Sequence, residues 1–279
     1  MFVWLASYPK SGNTLLRALL SSYFFSNDGK FDFEMIENIK QFPKKALFTK
    51  NGVDTKNEKE VIKNYLKVQE SINIKNSTQF LKTHSYLFNI ENNPFTKLEY
   101  SLGVIYIVRD PRNVVLSHSH HNSQSHEQST EDLIKGRELF DKDKEDIKVY
   151  AGTWGGNFNS WKSFKSVNKY LLVRYEDLIE NKEKIFYEIL KFIYNLKNMK
   201  LVLDKKKFNN ILETTDFIQM QKLESKKGFR ESMIDKKTGK KVKFFNLGKG
   251  TNWKSSLDPI LQNKIQKAFE KEMIELNYL

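Results

Sequence analysis

Three short segments of this 279-residue chain carry side chains suited to binding and moving a charged group. The first reads Tyr8-Pro9-Lys10-Ser11-Gly12-Asn13-Thr14 and lies between an apolar run and a stretch with helical spacing. A turn from strand to helix can aim the amides of Ser11, Gly12, Asn13 and Thr14 at one point, at the positive end of the helix dipole, and Lys10 adds a full charge. Such a nest suits the oxygens of a phosphate or sulfate. It is not a Walker A loop, because the lysine precedes the glycine and no G-x-x-x-x-G-K-[ST] can be drawn. The plainer alternative is an ordinary turn with an exposed lysine.

The second segment is Arg109-Asp110-Pro111-Arg112-Asn113, with Ser117 about two helical turns after Arg109. Arginine is the better residue for two-pronged recognition of an oxyanion, so Arg109 with Ser117 could hold a second phosphate. The competing reading pairs Arg109 or Arg112 with a nearby carboxylate. The third segment is Phe80-Leu81-Lys82-Thr83-His84. A histidine there titrates near neutrality and could serve as a general base, although a single histidine without partners is more often structural.

Each segment needs an element to hold it. Residues 1–7, 103–108 and 169–174 are short β-branched or aromatic runs that read as buried parallel strands, and residues 79–83 form a fourth that ends at His84. Helical patterns follow three of them, at 14–25, 112–121 and 181–196. Strand then helix, repeated, indicates a three-layer α/β/α fold with a central parallel sheet, whose ligands bind outside the carboxyl ends of the strands. Asp258 and Pro259 open a further helix over 258–276. With no repeat and no linker, residues 1–279 read as one domain with two polar, substrate-facing excursions at 28–76 and 117–148. Trp154 and Trp161, seven apart, read as core or pocket wall.

The composition narrows the function classes. There is no cysteine, which removes disulfides, thiol catalysis and Cys-ligated metals. No apolar stretch approaches the ~20 residues of a membrane span, and the N-terminal apolar run lacks a signal peptide's basic start, so a cytoplasmic location is expected. The net charge of +13 comes from 47 Lys and Arg against 34 Asp and Glu, but only six are arginines: Arg17, Arg109, Arg112, Arg137, Arg174 and Arg230. Scattered lysine accounts for most of this charge, and no helix groups cations for a nucleic-acid groove. His118, His120, His121 and His126 cluster in sequence, and they read as polar lid residues in preference to a metal site.

Taken together, the three segments resemble the PAPS-dependent sulfotransferase family in order and approximate spacing. Further matches are Gly152-Thr153-Trp154 with Trp161, Val173-Arg174-Tyr175-Glu176-Asp177-Leu178, Thr215-Asp216-Phe217 to Met220, and Gly248-Lys249-Gly250-Thr251-Asn252-Trp253-Lys254, so the resemblance spans nearly the whole chain. It implies a P-loop-NTPase-like sulfotransferase fold and 3′-phosphoadenosine 5′-phosphosulfate (PAPS) as co-substrate, with no metal. It assigns Lys10 and the amides of Ser11 to Thr14 to the 5′-phosphosulfate, and Arg109 and Ser117 to the 3′-phosphate. Tyr175, Thr215 and Phe217 would line the adenosine, with Leu247, Gly248 and Lys249 closing the nucleotide site. His84 would take the acceptor's proton, and Lys10 and Lys82 would stabilise the transferring group.

The chain departs from the family pattern at Asn13 and Leu15, and at Asn246 and Leu247, where two cations for the 3′-phosphate are missing. Lys249, Lys243 and Arg230 are the candidates to replace them. The expected reaction moves a sulfuryl group to a hydroxyl or amine of a small, polar or sugar-like acceptor, with neither nucleic acid nor membrane as partner. A nucleotide-dependent kinase or other phosphoryl transferase, and a basic nucleic-acid-binding protein, are the alternatives.

Overall fold

The computed structural model describes residues 1–74, 77–139, 146–235, 238–246 and 252–279. Five strands form a parallel sheet: β1 (Phe2–Ala6), β2 (Lys40–Gln41), β3 (Gln79–Thr83), β4 (Ser101–Val108) and β5 (Tyr170–Arg174), in the order β2-β3-β1-β4-β5. In register, Ala6 stands opposite Thr83 on one side and Tyr106 on the other. Because every strand runs the same way, Ser7, His84, Arg109 and Tyr175 all emerge at one edge. The order of strands turns at β1, which is where a ligand crevice is expected in such a sheet.

The apolar run of β1 is continuous because both faces are covered. Phe2, Trp4 and Ala6 join Phe42, Phe95, Tyr106 and Trp161 on one face. Val3 and Leu5 join Ile105, Ile107 and Val173 on the other. That second face is roofed by α1 (Asn13–Phe25) and by a helix over Lys182–Leu196, through Leu16, Leu19, Phe186 and Ile189. Trp154 and Trp161 are fully buried, and their indole N–H groups donate to the carbonyls of Arg109 (3.2 Å) and Ser85 (3.0 Å).

After β4, the Asp110 carboxylate accepts from the Arg112 amide and caps α2 (Pro111–Asn122), with Pro111 in the first turn. Asp110 also pairs at 2.7 Å with the Arg112 guanidinium, both buried, and Arg112 lies 3.7 Å over the Trp253 ring. Of the two arginines in this segment, Arg112 is therefore the one committed to a carboxylate.

Two elements differ from the sequence reading. β2 lies inside the 28–76 excursion and pairs with Leu81 and Lys82, and two residues are too few to show a strand period. The C-terminal helix breaks into Pro259–Ala268 and Glu270–Glu275. At the break, Phe269 is buried with its ring 5.1 Å from that of Trp154, so tertiary packing overrides an uninterrupted apolar period. The 117–148 excursion holds the end of α2, then α3 (His126–Lys135) and a strand over Arg137–Leu139 paired with Val149–Gly152. Among the described residues, no helix is long and apolar enough to cross a membrane.

Candidate active site

Between β1 and α1 the chain makes a tight turn. Lys10 (φ 66°) and Gly12 (φ 102°) both adopt left-handed backbone, and Gly12 caps α1 without a side-chain hydrogen bond. Alternation of left- and right-handed residues is how successive amides converge on an anion. A Cβ at Gly12 would sit 2.3 Å from Cδ2 of Tyr175, so the glycine lets the β5 edge approach the loop. The Asn13 side chain turns inward and its Nδ2 donates to the Leu5 carbonyl (2.9 Å) and Ser7 Oγ (3.2 Å), so its backbone amide is the donor left for an anion. Ser11 Oγ is buried and has no hydrogen-bond partner among the described residues.

Beside this turn, His84 Nδ1 lies 2.9 Å from the carbonyl oxygen of Ser7. A carbonyl only accepts, so Nδ1 carries the proton and Nε2 presents a lone pair. The His84 carbonyl is itself held at 2.9 Å by Asn157 Nδ2, and Asn157 Oδ1 accepts from the Tyr106 hydroxyl at 2.8 Å. Burial, with the Lys82 charge acting in the same direction, holds the imidazole well below its usual titration range.

Three cations converge at the same edge: Lys10, Lys82 and Arg17, the last on α1 one turn after Thr14. Arg17 is 3% exposed and Lys82 is 8% exposed. Burial lowers Lys10 to about 7, opposed first by the Glu231 charge. Burial likewise lowers Lys82 to about 8. Lys10 Nζ also sits 4.0 Å over the Phe244 ring. Glu231 reaches in from the segment after α4 (Phe217–Lys227) and accepts two bonds from Arg17 Nη2, at 2.7 and 2.8 Å. It also accepts from Thr14 Oγ1 at 3.2 Å and lies 3.9 Å from Lys82 Nζ. Burial works against ionisation of Glu231, but the charges of Lys82 and Arg17 and the Arg17 hydrogen bonds hold its carboxylate far below the usual range.

Arg109 donates to the Lys10 carbonyl at 3.4 Å and stacks 4.6 Å over the Tyr175 ring; among the described residues it meets no carboxylate, and its buried Nε is unpaired. Ser117 lies two turns along α2 and is partly exposed. Thr215 is 1% exposed and its hydroxyl donates to the Ile211 carbonyl, while Phe217 packs its ring against Phe245. Leu247, Gly248 and Lys249 lie outside the described residues. Of the candidate replacement cations, Arg230 is paired with Glu37 at 2.9 Å.

The histidines divide among different tasks. His118 is buried, accepting from Asn122 Nδ2 (2.8 Å) through Nε2 and facing Ser129 Oγ (3.2 Å) through Nδ1. His120 donates from Nε2 to the Lys243 carbonyl at 3.1 Å, and His121 meets the Phe244 ring edge-on. Among the described residues, no group of three or more His, Asp or Glu is arranged to hold a metal.

Sequence reasoning passed over Ser7, Asn157, Arg17 and Glu231. Arg17 had a usable signal, since it is one of six arginines and follows Thr14 by the three residues that put two side chains on one helix face. Glu231 had none, being one carboxylate in a lysine-rich stretch.

The parallel sheet, the tight turn at its edge and the histidine beside it define the class as an α/β enzyme. The family described as the Sulfotransferase domain matches residues 2–277, and the chain belongs to that family. It is 24% identical over 273 residues to flavonol 3-sulfotransferase of Flaveria bidentis, covering 97% of this chain and 81% of that protein. To Sulfotransferase 1E1 of Rattus norvegicus it is 24% identical over 280 residues, covering 96% of this chain and 81% of the relative. Among solved structures, mouse sulfotransferase SULT7A1 complexed with PAP superposes with a TM-score of 0.58 at 19% identity, over 98% of this chain and 84% of that one. Retinol dehydratase in complex with retinol and PAP gives 0.63 at 16% identity, over 98% and 81%.

Proposed function

We propose that this enzyme transfers a sulfuryl group from PAPS to a hydroxyl or amine of a small polar acceptor, with His84 as general base. The observation that carries the reading is the pairing of a single-tautomer, uncharged His84 with buried Lys82 and the Lys10 turn at one sheet edge. The residues present fit such a donor: the unpaired Ser11 Oγ and Arg109 Nε are buried polar groups without partners, and the edge carries an excess of positive charge. The PAP reported in the two solved relatives is the donor without its sulfuryl group, which agrees with this choice.

In this reading, Lys10 and the amides of Ser11 to Thr14 bind the 5′ end of the donor. Arg109 and Ser117 bind its 3′-phosphate, and Tyr175, Thr215 and Phe217 lie along the adenosine. When bound, the donor supplies an activated sulfuryl group on a phosphate leaving group. His84 Nε2 takes the acceptor's proton as the acceptor oxygen or nitrogen bonds to sulfur, and Lys10 meets the charge left on the phosphate oxygen. Positioning and charge neutralisation then carry most of the rate, as in phosphoryl transfer. The polar 28–76 and 117–148 segments, which carry His, Gln and Asn, favour a polar acceptor.

Incubating the purified protein with PAPS and a mixture of acceptors, and detecting an added sulfuryl group by mass spectrometry, tests the reading. Sulfation without added metal is the expected result. Phosphorylation from ATP and magnesium in its place would sink it.

A further inference from the structure

The contacts of Glu231 extend the reading above, on which this inference rests. Its carboxylate accepts from Thr14 Oγ1 and twice from Arg17 Nη2 and stands 3.9 Å from Lys82 Nζ. A hydroxyl of the anion turn and two nearly buried cations make a site for a tetrahedral oxyanion. A carboxylate of the chain's own fills it.

The placement is built from both sides. Glu224 on α4 accepts from Ser232 Oγ (2.8 Å), Phe244 N (2.7 Å) and Phe245 N (3.0 Å), which ties the residue after Glu231 and the segment at Phe244 and Phe245 to the helix. Phe229 and Phe245 are buried in a cluster with Phe31, Ile36 and Ala18 of α1, fixing the approach of residue 231 to the loop. The site itself keeps unused capacity, since Arg17 Nε and Ser11 Oγ are buried without partners among the described residues.

We propose that Thr14, Arg17 and Lys82 form the subsite for the donor's sulfonate, with Arg17 as an additional charge-neutralising residue, and that Glu231 is an internal stand-in which the sulfonate displaces. A carboxylate and a sulfonate cannot share these donors, because two anions at this separation repel in a partly buried site. PAP, which lacks the sulfonate, can bind with Glu231 still in place. Glu231 therefore weakens binding of PAPS selectively and leaves PAP little affected. Arg17 is released to meet the charge that spreads over the sulfuryl oxygens during transfer.

Equilibrium binding of PAPS, PAP and inorganic sulfate to the wild-type protein, Glu231→Gln and Arg17→Met/Glu231→Gln tests this. Glu231→Gln is expected to tighten PAPS and sulfate by about tenfold, the scale of removing one facing charge, and to change PAP by less than about threefold. The double variant is expected to lose that gain. Glu231→Ser reads the same equilibrium if the glutamine amide itself occupies the cations. Unchanged or weaker sulfate and PAPS binding in both Glu231 variants overturns the stand-in, and a double variant as tight as Glu231→Gln overturns the role of Arg17. The sulfate arm stands without the nucleotide, so wild-type protein that binds neither PAPS nor PAP refutes the donor while the subsite is still judged on sulfate.

Discussion

His84 and Ser7, 77 positions apart in sequence, meet at 2.9 Å through the imidazole Nδ1 and the Ser7 carbonyl. The contact exists because β1 and β3 are adjacent and in register to their last residues, Ala6 opposite Thr83, with Ser7 N donating onward to the Thr83 carbonyl at 3.3 Å. One backbone carbonyl thus chooses the tautomer of the proposed base. Replacing His84 with alanine is expected to lower kcat by about 10²–10⁴-fold, the usual share of a general base, with PAP affinity within a few-fold of wild type. Steady-state kinetics and calorimetry check this, and normal turnover would remove His84 from the chemistry.

Asn157 acts one step behind that base. Its amide donates to the carbonyls of His84 and Ala151 and accepts from Tyr106, all within 2.9 Å. Asn157→Ala should reduce kcat by roughly tenfold to a hundredfold through misplacement of the imidazole, while the KM for the donor stays near wild type. A change in donor KM alone would contradict a positioning role.

Donor binding should depend on pH through Lys10 and Lys82, which burial lowers to about 7 and about 8. Protonated lysine binds the anionic donor, so the sign is fixed: affinity is highest below pH 7 and falls as pH rises through 7 and then 8. The limiting slope is about tenfold per pH unit for each lysine. His84 stays uncharged over this range because its folded value lies well below the usual one. Equilibrium titration of PAPS, which carries the sulfonate that Lys82 meets, between pH 6 and 9 gives the profile, and a flat curve would show that neither lysine titrates there.

Gly12→Ala tests the turn. With φ 102° and a Cβ position 2.3 Å from Tyr175 Cδ2, alanine strains the backbone and pushes on the β5 edge. A loss of about 1–3 kcal/mol in stability is expected, together with weaker PAP binding. Urea unfolding with and without PAP measures both.

Asp110→Ala separates scaffold from site. It removes the cap of α2 and leaves Arg112, 3% exposed, without its carboxylate. About 3–5 kcal/mol of stability should be lost, as for a buried pair broken on one side. Glu176 is the other carboxylate at this point, accepting from the Asp110 amide, and does not replace the bond to Arg112. Urea midpoints of the variant and wild type decide it.

Much of the scaffold could be read directly, because parallel strands buried on both faces leave continuous apolar runs and the helices beside them leave clear periods. The run from Gln79 to Thr83 matches β3 residue for residue. What could not be read was shorter than its own period, as at β2, or set by packing from another part of the chain, as where Phe269 turns onto Trp154 and divides the last helix.

The strand ends and the residue types placed there follow from short stretches of sequence: Lys10 with its turn, Lys82 and His84, Arg109. These are local facts, each fixed by a strand, a stop and the chemistry of a few consecutive side chains. Which atoms face each other depends on the assembled fold. Register put the Ser7 carbonyl against His84, packing of Phe229 and Phe245 against α1 brought Glu231 to Arg17, and the Asp110 cap claimed Arg112 while Arg109 stacked on Tyr175. Those pairings join residues up to 214 positions apart, and no local pattern encodes a contact that depends on the whole sheet being assembled first.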